Sequence, residues 1–123
     1  MKELTKGEEQ VMQILWQLKR GFVKDIISRM PEPKPAYNTV STIVRILERK
    51  GFVSYKAYGK THEYFPIVER SNYSNFYLNS FLNRYFKGSF EQMVSFFAKE
   101  NKMNPDELEA MMKKVEDELG KDE

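Results

Sequence analysis

The chain of 123 residues contains no cysteine and one histidine, and these absences exclude several kinds of function. Without cysteine there are no disulfides and no thiolate metal sites. One histidine without cysteine leaves no recognisable nucleophile–base pair, and the sequence has no glycine-rich phosphate-binding loop. We therefore expect neither catalysis nor a metal or other cofactor, and no small-molecule ligand is evident.

Long apolar runs are also missing from the sequence. It has no stretch of about 18 or more apolar residues, so no transmembrane span is expected. The N-terminal segment "MKELTKGEEQ" lacks the apolar region of a signal peptide. Together these features predict a cytoplasmic protein.

Charge is unevenly distributed along the chain, although the net charge is only +2. Residues 1–70 carry 13 Lys and Arg against 8 Asp and Glu, whereas residues 71–123 carry 7 against 10. A basic N-terminal half suggests a module that binds a polyanion, joined to a separate second part. Random scatter of charges is the alternative interpretation.

Two helices are predicted before residue 36. Thr5 and Glu8 have the spacing of a capping box at the start of the first helix, and Gly21 is expected to end it. A second, short helix is predicted at about 23–30. The segment "PEPKP" at 31–35 must end it, because proline removes a backbone donor and restricts the preceding residue.

The third predicted helix, at residues 37–51, has an unusual polar face. Its apolar residues recur at helical spacing and form one stripe: Val40, Ile43, Val44 and Leu47. The opposite face carries short polar side chains followed by arginines: Asn38, Ser41, Thr42, Arg45 and Arg49. Short side chains permit close approach to DNA bases, where Asn can bond adenine and Arg can bind guanine or phosphate. A solvated helix rich in Ser and Thr is the alternative interpretation.

The sequence pattern after Gly51 is that of a β-hairpin. Aromatic and β-branched residues at 52–58 and 61–67 flank a turn at Gly59-Lys60. Three helices followed by a hairpin predict a mostly α winged helix-turn-helix, in which the second helix of the motif enters the major groove. We therefore predict a DNA-binding domain at 1–70. Its predicted DNA contacts are Asn38, Thr39, Ser41, Thr42, Arg45, Arg49, Lys56, Tyr58 and Lys60.

The tip of the predicted hairpin is basic and aromatic. Lys56, Tyr58 and Lys60 surround the turn, which suits contact with phosphates or with the minor groove. The alternative interpretation is a solvated hairpin whose edge lysines prevent unwanted strand pairing. His62 is expected to have a structural role.

Residues 71–123 are predicted to form a helical dimerisation domain. Aromatic residues dominate 71–87, the run resumes after Gly88-Ser89, and Asn104 is placed to cap a last helix. Three helices with apolar groups on several sides cannot bury them alone, so a second copy is expected to cover them. The predicted dimer contacts are Phe76, Tyr77, Phe81, Leu82, Tyr85, Phe86, Met93, Val94, Phe97, Leu108, Met111, Met112 and Val115.

Three segments resemble the penicillinase-repressor family, which includes the β-lactamase and methicillin-resistance repressors. "LTKGEEQVMQILW" at 4–16 is similar to the first helix of that family, with its pattern E-x-x-V-M-x-x-I/L-W. "NTVSTIVRILERKGFV" at 38–53 resembles its recognition helix and the start of its wing. "SFLNRYFKGSFEQMVSFF" at 80–97 resembles its dimerisation and cleavage region, which generic winged helices lack. The resemblance implies a homodimer that binds inverted-repeat operator DNA and represses resistance genes.

The resemblance also implies an induction route by proteolysis. Family members are inactivated when a membrane-bound sensor metalloprotease, triggered by β-lactam, causes cleavage in the dimerisation domain. The bond usually cut joins an Asn to a Phe shortly after a Met-Val pair. Here Met93-Val94 precedes Phe96 and Phe97, so the corresponding bond is Phe96–Phe97 and the Asn is absent. Copper-responsive relatives carry a cysteine cluster near the C-terminus, which this chain lacks.

The alternative function is a winged-helix protein-interaction module that has no sequence-specific DNA binding. Acidic residues on the exposed face of the third helix would mark such a module. Only Glu48 lies near that face, at its flank. The sequence therefore favours DNA binding.

Overall fold

The computed structural model describes residues 1–121, which form six helices and one β-hairpin. The elements in chain order are α1 (Lys6–Leu18), α2 (Val23–Ser28), α3 (Tyr37–Arg49), β1 (Val53–Tyr58), β2 (Thr61–Pro66), α4 (Arg70–Phe86), α5 (Phe90–Glu100) and α6 (Pro105–Lys121). The predicted mostly helical fold, with a hairpin wing after three helices, is confirmed. None of the helices within residues 1–121 is long and apolar enough to span a membrane.

The chain divides into two compact units, Met1–Tyr77 and Leu78–Glu123. The first turns of α4 belong to the former unit and the rest of α4 to the latter. Assignment of one unit to DNA binding and of the other to dimerisation stays a prediction.

The start of α1 agrees with the sequence and its end does not. Thr5 and Glu8 form the predicted capping box, in which each side chain accepts a hydrogen bond from the backbone N–H of the other. The helix ends at Leu18, and Lys19 follows in a left-handed conformation with φ of 71°. The prediction that Gly21 ends α1 is wrong, because Gly21 pairs with β2. Its N–H donates to the Tyr64 carbonyl at 2.9 Å and its carbonyl accepts from the Tyr64 N–H at 2.8 Å.

The Lys34 side chain caps the carboxyl end of α2. The helix ends at Ser28, slightly before the predicted residue 30, and the proline segment follows it. The Lys34 ammonium donates to the carbonyl oxygens of Ile27, Ser28 and Met30 at 3.3, 3.2 and 2.8 Å. A cation at this end of a helix satisfies free carbonyls and complements the helix dipole.

The core of the first unit lies between the three N-terminal helices and the hairpin. Its completely or almost completely buried members are Val11, Met12, Leu15, Ile26, Val40, Val44, Leu47, Phe52 and Val53. Ile43, the remaining residue of the predicted α3 stripe, is only partly buried against this core. The stripe therefore packs as its helical period predicted.

The hairpin is anchored at its open end and exposed at its tip. β1 and β2 pair antiparallel with Val53 opposite Pro66 and Tyr58 opposite Thr61. Gly59 occupies the turn with φ of 63°, a conformation that glycine adopts without a steric penalty. Because Phe52 and Val53 are buried, the wing extends from the core toward solvent.

The first turns of α4 pack onto α1 through Tyr73. This side chain is 4% exposed, and its hydroxyl accepts a hydrogen bond from the Leu4 N–H at 2.9 Å. The Trp16 ring lies 6.2 Å from the Tyr73 ring, and the Trp16 indole N–H donates to the Val68 carbonyl at 2.9 Å. Burial raises the pKa of Tyr73, so the phenol remains neutral at physiological pH.

The second unit buries few side chains although its helices begin as predicted. The Ser89 hydroxyl caps α5 by accepting from the Gln92 N–H at 3.1 Å, and the Asn104 side chain accepts from the Glu107 N–H at 2.8 Å. No residue of α6 is buried within its described part. The apolar stripe of α6 is therefore largely exposed on the single chain, as the exposure of Met111, Met112, Val115 and Leu119 shows.

An ion pair joins the start of α1 to the end of α3. The Glu8 carboxylate is 5% exposed and accepts hydrogen bonds from the Lys50 ammonium at 2.7 Å and from the Thr5 N–H at 3.0 Å. Burial alone would raise the pKa of Glu8. The hydrogen bonds from Lys50 and Thr5 and the charge of Lys50 outweigh it, so the pKa lies below the usual glutamate value of 4.5.

The Glu8–Lys50 ion pair predicts how the free energy of unfolding changes as the pH falls. Because the folded-state pKa of Glu8 is depressed, its contribution is complete above about pH 4.5 and is lost as the pH falls through the folded-state pKa. Glu8→Gln should lower the free energy of unfolding at neutral pH by about 1–3 kcal/mol and flatten its decline in acid. Urea unfolding measured across this pH range tests the prediction. Glu9→Gln is the matched control and should keep the decline, and an equal decline in Glu8→Gln would contradict the assignment.

Candidate nucleic-acid interface

The face of α3 opposite its buried stripe is open to solvent. Asn38, Thr42, Arg45 and Arg49 are exposed and Ser41 is half-buried. Thr39 is also exposed, at the edge of this face. The structure therefore presents all six predicted α3 contacts at the surface.

Hydrogen bonds along α3 orient part of this face. The Thr42 hydroxyl donates to the Asn38 carbonyl at 2.8 Å, which leaves its oxygen lone pairs available as acceptors. The Arg45 Nε–H donates to the Ser41 carbonyl at 3.3 Å. This bond uses one of the five guanidinium donors, so the terminal NH₂ groups of Arg45 remain available for a bidentate contact.

The wing carries its predicted cations next to aromatic rings. The Lys56 ammonium lies 5.3 Å from the centre of the Tyr58 ring, and that ring lies 5.8 Å from Phe22. His62 stacks on Tyr55 with ring centres 4.0 Å apart and planes 7° apart. The structural role expected for His62 stays a prediction.

A cleft of about 420 Å³, here called the wing cleft, lies between α3, the hairpin and the start of α2. Of the predicted contacts, Ser41, Arg45 and Lys60 line it. The full lining is Phe22, Val23, Lys24, Tyr37, Ser41, Arg45, Lys60, Thr61, His62 and Tyr64. A second, shallower depression along α3 is bordered by Thr42, Arg45, Glu48 and Arg49. Arg45 borders both.

Lys56 and Tyr58 line neither the wing cleft nor the α3 depression, although the Tyr58 ring lies 5.8 Å from the ring of Phe22, which lines the cleft. Asn38 and Thr39 also lie outside both linings. The predicted contacts thus form one group around Arg45, a second at the start of α3 and a third on β1.

Sequence reasoning missed Tyr37 and Lys24 as members of this surface. Tyr37 is 55% exposed, and it stands four residues before Ser41 and eight before Arg45. That spacing puts the three side chains along one side of the helix, so helical phase was a usable signal for Tyr37. Nothing in the local pattern pointed to Lys24, because it reaches the cleft from another helix.

The residues predicted to form dimer contacts divide into exposed and enclosed groups. Tyr85, Phe97, Met111, Met112 and Val115 are each at least half exposed. Leu82 is 6% exposed, so it is already enclosed by its own chain. Phe76 packs against the core of the first unit, where it also lies close to Tyr73. The remaining predicted contacts have intermediate burial, except for Tyr77, which is exposed: Phe81, Phe86, Met93, Val94 and Leu108.

Comparison with known sequences identifies the family. The family model described as "Penicillinase repressor" matches residues 4–117. The chain belongs to the penicillinase repressor family. This family member is 29% identical over 110 residues to the methicillin resistance regulatory protein MecI of Staphylococcus aureus (strain N315), covering 89% of each chain. It is 22% identical over 116 residues to the penicillinase repressor of Bacillus licheniformis, covering 94% of this chain and 91% of the relative.

Solved structures agree with the winged-helix fold of this penicillinase repressor family member. The DNA-binding domain of the repressor BlaI matches 59% of this chain and 94% of its own, with 22% identity and a TM-score of 0.50. The complex structure of hsRosR-S4 matches 99% of this chain and 95% of its own, with 17% identity and a TM-score of 0.55. At these identities the likeness concerns the fold alone.

Proposed function

We propose that this chain is a dimeric transcriptional repressor that binds inverted-repeat operator DNA through α3 and the wing. One observation carries the proposal. The short polar side chains and arginines of α3 lie at the surface, and two of them, Ser41 and Arg45, line the wing cleft together with Lys60 of the hairpin. A helix with this face beside a basic wing matches the chemistry of major-groove bases and flanking phosphates.

In this proposal some side chains of α3 bind base edges in the major groove, and others contact the adjacent phosphates. Asn38, Ser41 and Thr42 lie in its first turns, where side chains of a recognition helix reach the bases. Arg45 has free donors for guanine, and Arg49 reaches the groove wall one turn later. Thr39, at the edge of the face, contacts a phosphate.

The wing supplies contacts that do not depend on sequence. Lys60 lies in the turn, and Lys56 and Tyr58 lie on the exposed part of β1 near the turn. Lysine binds phosphate as a point charge and releases the counterions that surround DNA. These three residues therefore contribute affinity rather than selectivity.

Dimerisation through the second unit explains its exposed apolar residues. Met111, Met112, Val115 and Leu119 of α6 are 50–62% exposed, and they recur along one side of the helix. A stripe of this kind indicates an interaction surface. Joining two DNA-binding units raises the effective concentration of the second for its half-site and strengthens binding by roughly 10²–10⁴.

Derepression by cleavage of the second unit is the remaining part of the proposal. The Phe96–Phe97 bond lies inside α5, with both side chains more than half exposed. The Phe97 carbonyl accepts hydrogen bonds from the backbone N–H and side-chain amide of Asn101 at 3.0 and 2.8 Å. Because proteases cut locally opened chain, α5 must unfold before a membrane sensor metalloprotease cuts it. Loss of the dimer then ends repression without altering α3.

The DNA-reading roles predict two different effects of substitution. Arg45→Ala should lower the preference for the operator over random DNA, by about 1–3 kcal/mol if the contact is bidentate. Lys60→Ala should weaken both DNAs alike and reduce the log–log salt slope by about 0.9. Affinity is measured by fluorescence anisotropy at several salt concentrations, with DNA from upstream of the gene and a scrambled duplex. A wild-type chain without preference between the two duplexes would refute specific repression.

The dimer proposal predicts that a charge on the α6 stripe separates the chains. Val115→Glu should shift the protein from dimer to monomer at micromolar concentration, because the carboxylate would be buried without a partner. Ala110→Glu adds the same charge about half a turn from the stripe and should leave the dimer intact. Sedimentation velocity measures both variants. A monomeric wild-type chain would contradict the proposal.

The cleavage proposal predicts that the stability of α5 controls the cutting rate. Ser89→Ala removes the hydroxyl that caps α5 and should lower the stability of this helix by about 1 kcal/mol. The opened form of α5 would then be about fivefold more populated, so the cutting rate should rise about fivefold when opening is rapid. Ser95→Ala, on the exposed side of the same helix, leaves the cap in place and is the control. Fragments from cells that contain the sensor metalloprotease are identified by mass spectrometry. Equal rates for the two variants, or fragments that do not end at Phe96, would count against it.

A further inference from the structure

The wing cleft has the composition of an anion-binding site. It is lined by three cations from three different elements: Lys24 of α2, Arg45 of α3 and Lys60 of the hairpin turn. Among the residues described, no Asp or Glu contributes to this lining. Hydroxyl groups of Tyr37 and Ser41 add neutral donors, whereas the Thr61 hydroxyl already donates to the Tyr58 carbonyl at 2.9 Å. The cleft therefore favours an anion with several oxygen atoms.

The Lys24 side chain makes no polar contact that stabilises the fold within the described part of the chain. Its ammonium is exposed, and within residues 1–121 it has neither a hydrogen bond nor an ion pair. The neighbouring Asp25 carboxylate is engaged elsewhere, since it accepts from the Phe22 N–H at 2.9 Å. By contrast, Lys34 caps α2 and Lys50 pairs with Glu8. Lys24 is thus a free cation at the edge of the cleft.

The position of Lys24 on α2 suits a contact with the DNA backbone. α2 is the first helix of the helix-turn-helix, and the first helix of this motif crosses the backbone while the second lies in the groove. Lys24 and Lys60 approach the cleft from α2 and from the wing, and Tyr37 borders it at the start of α3. A DNA strand that follows the major groove beside α3 would place a backbone phosphate among these three side chains.

We infer that the wing cleft holds one backbone phosphate of the bound DNA, between Lys24 and Lys60, with the Tyr37 hydroxyl as a neutral donor. This inference rests on the proposed function, and it adds two residues and a third element to the interface. Lys24 contributes charge and Tyr37 a hydrogen bond. Neither reads a base, so both act equally on all sequences.

The experiment compares the salt dependence of binding to a random-sequence duplex and to DNA from upstream of the gene. Lys24→Gln should weaken binding to both duplexes by the same factor and reduce the log–log slope by up to about 0.9, the value for one phosphate, because Lys60 shares that phosphate. Lys6→Gln is the matched control, because Lys6 is an exposed lysine of the same unit outside the cleft, and its slope should equal that of the wild type. Tyr37→Phe should weaken binding to both duplexes without changing the slope, since the phenol carries no charge.

An unchanged slope in Lys24→Gln, or a loss confined to the upstream DNA, would overturn the inference while leaving the proposed repressor function in place. Unchanged affinity in Tyr37→Phe would remove Tyr37 from the phosphate site. A wild-type chain that binds neither duplex would overturn the repressor function and this inference together. Because Lys24 and Tyr37 are both exposed, their substitution should leave the fold intact. Circular dichroism of each variant checks that the fold is retained.

Discussion

Burial of the α3 stripe is the constraint on which the candidate interface depends. Val40, Val44 and Leu47 are completely removed from solvent in the core of the first unit. Exposing all three would cost about 5–9 kcal/mol, which is comparable to the whole stability of a small domain. Rotation of α3 about its axis is therefore excluded, and the opposite face must point outward. The Glu8–Lys50 ion pair adds a polar restraint between the start of α1 and the residue that caps α3.

The position of the wing depends on a second, smaller set of contacts. The paired hydrogen bonds between Gly21 and Tyr64 attach β2 to the segment that precedes α2. Burial of Phe52 and Val53 holds the base of β1 in the core. Because α2, α3 and the hairpin are all attached to one core, cations from each of them line the same cleft.

Most of the fold could be predicted because its signals are local. The capping box of α1, the α3 stripe, the proline segment and the Gly59 turn each determine conformation through neighbouring residues. Gly21 was misinterpreted for a different reason. A glycine after a helix usually ends it, but here Lys19 adopts the left-handed conformation and Gly21 is used for pairing with a strand more than forty residues away. Local pattern contains no information about that partner.

Consecutive residues were enough to predict which side chains face outward on α3, the chemistry of that face and the apolar stripe of α6, since helical period is a local property of the chain. Packing between elements, in contrast, encloses Leu82, places Phe76 against the core of the first unit and brings Lys24 and Lys60 into the lining of one cleft. These facts depend on how separate elements pack. Lys24 and Lys60 are 36 positions apart in the sequence, and burial of a shared core brings their elements to one cleft.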